Sequence, residues 1–257
     1  MSSLIAQMHS LAKDQNIEVG QIFEEVVKVA YQNIISAGDH VIDVGAHDGF
    51  HTIPMAKAVG RKGKVYAFEP IPYLLRNLKK QIKKNRLSNV ELYKKALGMQ
   101  DQKSRFQHFQ KFPGYSGLRR RITPFNDQEG LLKEITVKQT RLDTVFPSTT
   151  EVSFIKLDIE GGELHALMGG IRLIKRSRPV IIFEFGFQET ADTYNFTKED
   201  FFGYFEGLDF SVYTLAGDLF TQDKWGNQEP CWEMVALPNE KKALSAQFPI
   251  YCHQVLQ

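Results

Sequence analysis

Apolar side chains repeat at helical spacing between about Ile17 and Ile35, where Ile22, Phe23, Val26, Val27, Ala30 and Ile34 share one stripe. Ala37-Gly38-Asp39 interrupts that pattern. Val41-Ile42-Asp43-Val44 follows, a short and nearly all-apolar run of the kind a parallel strand buried on both faces needs. From there the pattern alternates. A glycine-containing turn opens a helix over about Phe50 to Val59, and Arg61-Lys62-Gly63 turns into a strand, Lys64 to Phe68. A helix from about Tyr73 to Asn85 carries Leu74, Leu75, Leu78 and Ile82 on one face, and another strand spans about Val90 to Tyr93. Strands alternating with helices at this interval predict right-handed βαβ units on a parallel sheet.

The middle of the chain is less regular. Ser104 to Phe109 reads as a strand. Lys111 to Gly130 is basic and punctuated by Gly and Pro, with Arg119-Arg120-Arg121 at its centre, and is expected to be a long loop or insertion. Loops of this size inside a domain are more often functional than inert. Regular pattern resumes at Ile135 to Gln139, in a strand over Val152 to Leu157 and in a helix after Gly162. A strand over Val180 to Phe185, a helix near Lys198 to Glu206 and strands over Ser211 to Leu215 and Glu233 to Leu237 complete it. The organisation expected is one α/β domain over 39–257, with a loop insertion at about 110–130, behind an N-terminal helical extension, 1–38.

Composition narrows the class. A chain of 257 residues with formal net charge +2 has too little positive charge to argue for DNA. Cys231 and Cys252 form neither a disulfide framework nor a metal motif, so two reduced thiols in a cytoplasmic protein are expected. Met1 to Asn16 lacks the basic and apolar regions of a signal peptide, and no apolar run approaches the ~18–20 residues of a membrane span.

The sharpest local feature is Val41-Ile42-Asp43-Val44-Gly45-Ala46-His47-Asp48-Gly49. A buried strand ends in a glycine turn that opens a helix, the place where open α/β sheets bind nucleotide-like ligands. The dinucleotide fingerprint G-x-G-x-x-G is missing, and no G-K-[ST] follows to make a P-loop. Asp43 would repel a pyrophosphate but suits a cationic amino acid or sulfonium. The next strand ends Ala67-Phe68-Glu69-Pro70, and an acid there can accept hydrogen bonds from both ribose hydroxyls. Asp43 and Glu69 together describe an adenosine with a cationic tail.

A second constellation is Lys156-Leu157-Asp158-Ile159-Glu160-Gly161-Gly162-Glu163. It brings Asp158 and Glu160 to the sheet's carboxyl edge and Glu163 to the first turn of a helix, where negative charge is favourable. Clustered carboxylates raise one another's proton affinity, one way to make a general base. Asp158, Glu160 and Glu184 are therefore candidate catalytic groups, with a structural partnership between Glu184 and Lys156 or an arginine as the alternative. The same three could offer hard oxygens to a divalent metal such as Mg²⁺, although none is expected, and no His/Cys spacing supports zinc.

These motifs, with Asn85, Asn89-Val90, Ala96-Leu97-Gly98, Arg141-Leu142-Asp143 and Glu184, resemble the FkbM-type methyltransferases from about residue 40 to 186. That family is a branch of the class I S-adenosylmethionine-dependent enzymes. The resemblance implies a doubly wound, mostly parallel sheet of seven-stranded type with helices on both faces. It implies that Asp43, Gly45, Ala46, His47, Asp48 and Gly49 hold the methionine part of S-adenosylmethionine or its product S-adenosylhomocysteine. Glu69 and Pro70 would serve the ribose, Ala96 and Leu97 the adenine, and Asp158 would face the sulfonium and substrate. Members typically methylate hydroxyls of sugars or secondary metabolites. His47, Asp48 and Gln81 depart from residues common at those positions.

His51, Tyr115, Ser116 and Arg119 are candidate contacts to a small-molecule or carbohydrate acceptor, with residues 112–121 as a lid. Rival readings are an RNA or N-methyltransferase and an inactive cofactor-binding protein; a basic face as thin as Arg119–Arg121 argues against RNA. The N-terminal helix and the aromatic segment Phe201, Phe202, Tyr204 and Phe205 could supply a homodimer surface.

Overall fold

The computed structural model describes residues 3–121, 130–226 and 231–257. Two helices lead, α1 (Ser3–Gln15) and α2 (Val19–Ile34). The alternating part follows as β1 (His40–Val44), α3 (Thr52–Val59), β2 (Lys64–Phe68), α4 (Pro72–Lys84) and β3 (Val90–Tyr93). Then come β4 (Ala96–Leu97), β5 (Gln102–Phe109), β6 (Leu132–Thr140), α5 (Leu142–Val145), β7 (Phe154–Leu157), α6 (Glu163–Met168) and α7 (Ile171–Ser177). The chain continues through β8 (Val180–Glu184), α8 (Phe187–Tyr194), α9 (Lys198–Gly207), β9 (Phe210–Thr214), β10 (Glu233–Pro238) and α10 (Phe248–Leu256).

Seven of the described strands form one sheet in the order β3-β2-β1-β7-β8-β10-β9, parallel except that β10 runs against both neighbours. The chain winds outward from β1 to β3, then restarts at β7 on the other side of β1. The carboxyl ends of β1 and β7 therefore flank the switch point where such sheets bind ligands. The strands expected near Ser104–Phe109 and Ile135–Gln139 exist but lie outside this sheet. They pair antiparallel as β5 and β6 and, with β4, make a separate three-stranded sheet.

Side-chain alternation along the central strands builds two cores. Val41, Phe154, Val180, Ile182, Val235 and Leu237 face α1, α2, α3 and α10. Ile42, Val44, Ile155, Leu157, Ile181, Phe183 and Met234 face α6, α7 and α9. Each strand is buried on both faces, which is why these runs lack the polar alternation of a half-exposed strand. No described helix is long and apolar enough to cross a membrane.

The N-terminal helices are part of this core. Ile22, Phe23, Val26, Val27, Ala30 and Tyr31 of α2 are buried, together with Leu4, Ile5 and Met8 of α1 and Phe248, Tyr251 and Cys252 of α10. The aromatic segment proposed as a dimer surface is also interior. Phe201, Phe202, Tyr204 and Phe205 are buried, with the Phe201 ring stacked 4.4 Å from Phe185 and the Phe205 ring 5.7 Å from Phe183. A Phe205→Ala substitution is expected to cost about 3–5 kcal/mol of stability, as for other fully buried aromatics. The loss should be the same in chemical unfolding at two protein concentrations tenfold apart, since these rings pack within one chain.

Candidate active site

A cavity of about 810 Å³ opens at the switch point. Its first wall is the turn after β1. Gly45 has φ +83°, and a Cβ there would stand 1.8 Å from the Asp158 carbonyl oxygen, so only glycine lets this turn lie against the end of β7. The Gly45 and Ala46 N–H groups both donate to the Phe68 carbonyl at 3.0 Å, tying the turn to β2. His47 adopts φ +49°, a left-handed conformation that costs a non-glycine residue on the order of 1 kcal/mol. That conformation aims its N–H at Glu69 Oε2, 3.0 Å away, while Glu69 Oε1 accepts from Ile71 N–H at 2.7 Å. Burial raises Glu69 to about 7, against the pull of these two donors. Each carboxylate oxygen keeps a lone pair for a further donor.

The floor follows from strand alternation. Asp43 of β1 lies beside Lys156 of β7 in register, and Glu184 of β8 opposite Glu233 of β10. All four side chains belong to the face covered by α2. Lys156 is buried, and its Nζ donates to Asp158 Oδ2 at 3.2 Å. Burial alone would discharge this ammonium; the charges of Asp158, Glu24, Glu233 and Asp43 outweigh it and hold its pKa well above the ordinary value. Asp43 is buried, accepts a hydrogen bond from Thr52 Oγ1 at 2.5 Å and is raised, first by burial.

Arg121 reaches this floor from the loop after β5. Its guanidinium pairs with Glu160 and lies 3.6 Å from Glu184 and 3.8 Å from Glu189. Burial raises Glu160 to about 8 and holds Glu184 well above its ordinary value; Arg121 opposes both. Arg121 pairs most closely with Glu160 and more loosely with Glu184. Oxygens of Asp158, Glu160 and Glu184 lie within 4.8 Å of one another, a set able to ligate a hard cation, and Arg121 brings a positive charge to two of them.

The cavity brings together Asp43, Gly45, Ala46, His47, Glu69, Pro70, Ala96, Leu97, Asp158, Glu160 and Glu184, with His51 and Ser116. Four candidates lie outside its lining. Asp48 is exposed and paired with the His47 ring at 3.4 Å, and Gly49 packs toward Leu78. Tyr115 is 40% exposed beside the mouth, and Arg119 borders a separate shallow concavity with Arg105 and Glu134. Ser116 serves the loop itself, since its hydroxyl accepts from Phe109 N–H at 3.0 Å while Gly117 and Gln107 exchange backbone hydrogen bonds. The first half of the expected insertion is thereby pinned to β5; 122–129 lie outside the described residues.

Two contributors had no motif to announce them, Arg121 as the inward cation of the loop and Glu24 of α2, while Lys156 stands in the Lys156–Glu163 run but its place as the central cation was not read from it. Glu24 lines the cavity and hydrogen-bonds His51 Nε2, leaving Nδ1 to face the Tyr31 hydroxyl at 3.4 Å. Glu24 and Tyr31 sit two helical turns apart on one face, so a single acid on an otherwise apolar stripe was the available signal.

Glu163 illustrates the electrostatic cost of the motif. Its Oε1 accepts from Ile159 and Gly161 N–H at 2.8 and 3.2 Å, while the buried Oε2 has no hydrogen-bond partner among the described residues. Burial raises it to about 7 from an ordinary 4.5. A raised carboxyl contributes stability that is complete below its unfolded pKa and is lost as pH climbs to the folded one. The wild type should therefore lose about 3 kcal/mol of its Glu163 contribution between about pH 4.5 and 7, with no further loss from this group above that. Glu163→Gln keeps the two accepted hydrogen bonds and carries no charge. Its stability relative to wild type is expected to rise across that window, measured by denaturant unfolding at pH 5, 6, 7 and 8.

Residues 43–211 match the Methyltransferase FkbM domain model, a span that runs from Asp43 through Glu69, the Asp158–Glu163 run and Glu184. A protein-L-isoaspartate O-methyltransferase of Methanococcus maripaludis is 38% identical over 58 residues, 23% of this chain and 27% of that protein. The one from Caenorhabditis elegans is 38% identical over 60 residues, with the same shares. The chain thus matches only about a quarter of these relatives' length. The crystal structure of an FkbM methyltransferase from Methylobacillus flagellatus superposes with TM-score 0.50 at 18% identity, over 77% of this chain and 43% of that one, and shows the shared fold. On the family match, this chain belongs to the FkbM methyltransferase domain family.

Proposed function

We propose that the chain is an S-adenosylmethionine-dependent O-methyltransferase acting on a hydroxyl of a sugar, glycan or secondary metabolite. The observation that carries the reading is the conjunction of the Gly45 turn, Glu69 and Asp158 around one cavity. The glycine turn leaves room for a ligand backbone, Glu69 offers two oxygens on a preformed pair of N–H donors to a ribose diol, and Ala96-Leu97 gives an apolar edge for a purine. S-adenosylmethionine supplies an electrophilic methyl on a sulfonium when bound. The protein's own task is then alignment, exclusion of water and removal of one proton.

Asp158 suits the last role. Its side chain is partly exposed to the cavity, and Lys156 holds it in place from behind. An acceptor hydroxyl beside it would pass its proton to the carboxylate as the new bond forms. Glu160 and Glu184 both face the Arg121 guanidinium, so they serve better as walls of the acceptor site than as bases. Arg121 turns inward and leaves only Arg119 and Arg120 of that run at the surface, which favours a small acceptor over RNA. Its guanidinium supplies positive charge where a divalent ion would sit.

Calorimetric titration with S-adenosylhomocysteine should give micromolar binding, and Glu69→Gln should weaken it about ten- to hundredfold through loss of the charged ribose contact. Asp158→Asn should keep that binding but cut transfer of a labelled methyl to a hydroxylated acceptor by 10²-fold or more. Turnover should survive EDTA. A wild type that binds no S-adenosylhomocysteine sinks the reading.

A further inference from the structure

The family match begins at residue 43, so α1, α2 and α10 lie outside it. These helices nevertheless wall the cavity, through Leu11, Ile17, Gln21, Ile22 and Glu24 on one side and Val255 on the other. Glu24 and Glu25 are the acids of this wall; Glu25 pairs with Lys28 of its own helix, whereas Glu24 is held by the fixed part of the site. It is fastened to His51, the residue immediately before α3, which lies six residues beyond Gly45 in the same turn-to-helix segment. Glu24 and the glycine turn thus line the same cavity, with Glu24 tied through His51 to the N-terminal end of α3.

The charges there decide what the cavity can bind. Asp43 is fully enclosed, with its carboxylate engaged by the Thr52 hydroxyl and facing the Lys156 charge. Asp158 spends one oxygen on Lys156. Glu24 is different: its side chain is 29% exposed, and only its Oε2 appears in a hydrogen bond, to His51. Among the described residues its Oε1 has no hydrogen-bond partner. Burial opposes ionisation of Glu24, but Lys156 and His51 outweigh it and hold the group at about 2, so the carboxylate is charged at any working pH. A fixed, ionised carboxylate on the wall of the cavity that the glycine turn also lines calls for a cation with N–H donors. The methionine part of S-adenosylmethionine carries such a group, its α-ammonium.

We infer that Glu24 on α2 binds the α-ammonium of the cofactor's amino-acid tail, which makes the N-terminal helices part of the cofactor site. The inference rests on the proposed function, because it needs the cofactor in this cavity. Tyr31 and Glu24 clamp the His51 ring from positions two turns apart on α2, and α2 is packed against α10, so the carboxylate is presented by a rigid wall. Such preorganisation turns a charge-assisted hydrogen bond into affinity with little ordering cost.

The test compares two ligands that share the adenosine and the sulfur. S-adenosylhomocysteine has the amino-acid tail; 5′-methylthioadenosine lacks it. In calorimetry, Glu24→Gln should weaken S-adenosylhomocysteine about ten- to hundredfold and leave 5′-methylthioadenosine within twofold of wild type. Glu24→Asp, which keeps the charge and retracts it by one methylene, should show the same selectivity at smaller size and carries the comparison if the Gln variant does not fold. Equal weakening of both ligands in a folded variant, or unchanged binding of S-adenosylhomocysteine, overturns the assignment. A wild type that binds neither ligand overturns the functional reading instead.

Discussion

One buried ammonium organises this molecule. Lys156 sits mid-sheet with no water to solvate it, at a position where an apolar residue would ordinarily fill the core. It is kept charged by Asp158, Glu24, Glu233 and Asp43, which come from β7, α2, β10 and β1. Four segments distant in sequence thus meet at a single point. Removing one partner of such a set is far more damaging than replacing the whole set by apolar residues, which is how a buried ionic cluster fixes geometry more than it adds stability. Here the geometry fixed is the carboxyl edge of the sheet, where the cavity opens.

The backbone around that edge is equally constrained. Gly45 lies against the Asp158 carbonyl, and the two strained residues, His47 and Glu160, stand on the turns after β1 and β7. Left-handed conformations at non-glycine residues persist only where the surroundings over-determine them. At His47 the compensation is visible in the N–H delivered to Glu69. At Glu160 it is the Arg121 pair. The site is thereby braced from two sides, by strand ends below and by the β5 loop above.

Much of this was legible in the chain. Buried parallel strands announce themselves by unbroken apolar runs, and β1, β2, β3, β8 and β10 fall within a residue or two of the expected bounds. The glycine turn, Glu69 and the Asp158–Glu163 run sit where strand–turn–helix logic puts them. What escaped were relations between distant segments. Arg121 reads as one of three basic loop residues, and nothing local says that it turns inward while Arg119 borders another concavity. Ser116 looks like an acceptor contact until the hairpin that needs its hydroxyl is seen. The aromatic run at Phe201–Phe205 is as consistent with a subunit interface as with a core, since both bury the same surface. Short helices such as α5 and α7 offer too few turns for a periodic signal.

The packing of α2 against α10 has a consequence for how the site comes into being. These helices stand near opposite ends of the described chain, yet both contribute to the wall of one cavity, through residues such as Ile22 and Val255. A pocket closed by contacts of such long sequence separation is assembled late, since the loop-closure entropy must be met before the contact is made. A chain caught with α10 undocked would hold its central sheet and its glycine turn but not the far wall. Any ligand filling the cavity would then act as a fastener between first and last helices, and its presence would slow their separation more than that of the strands beneath.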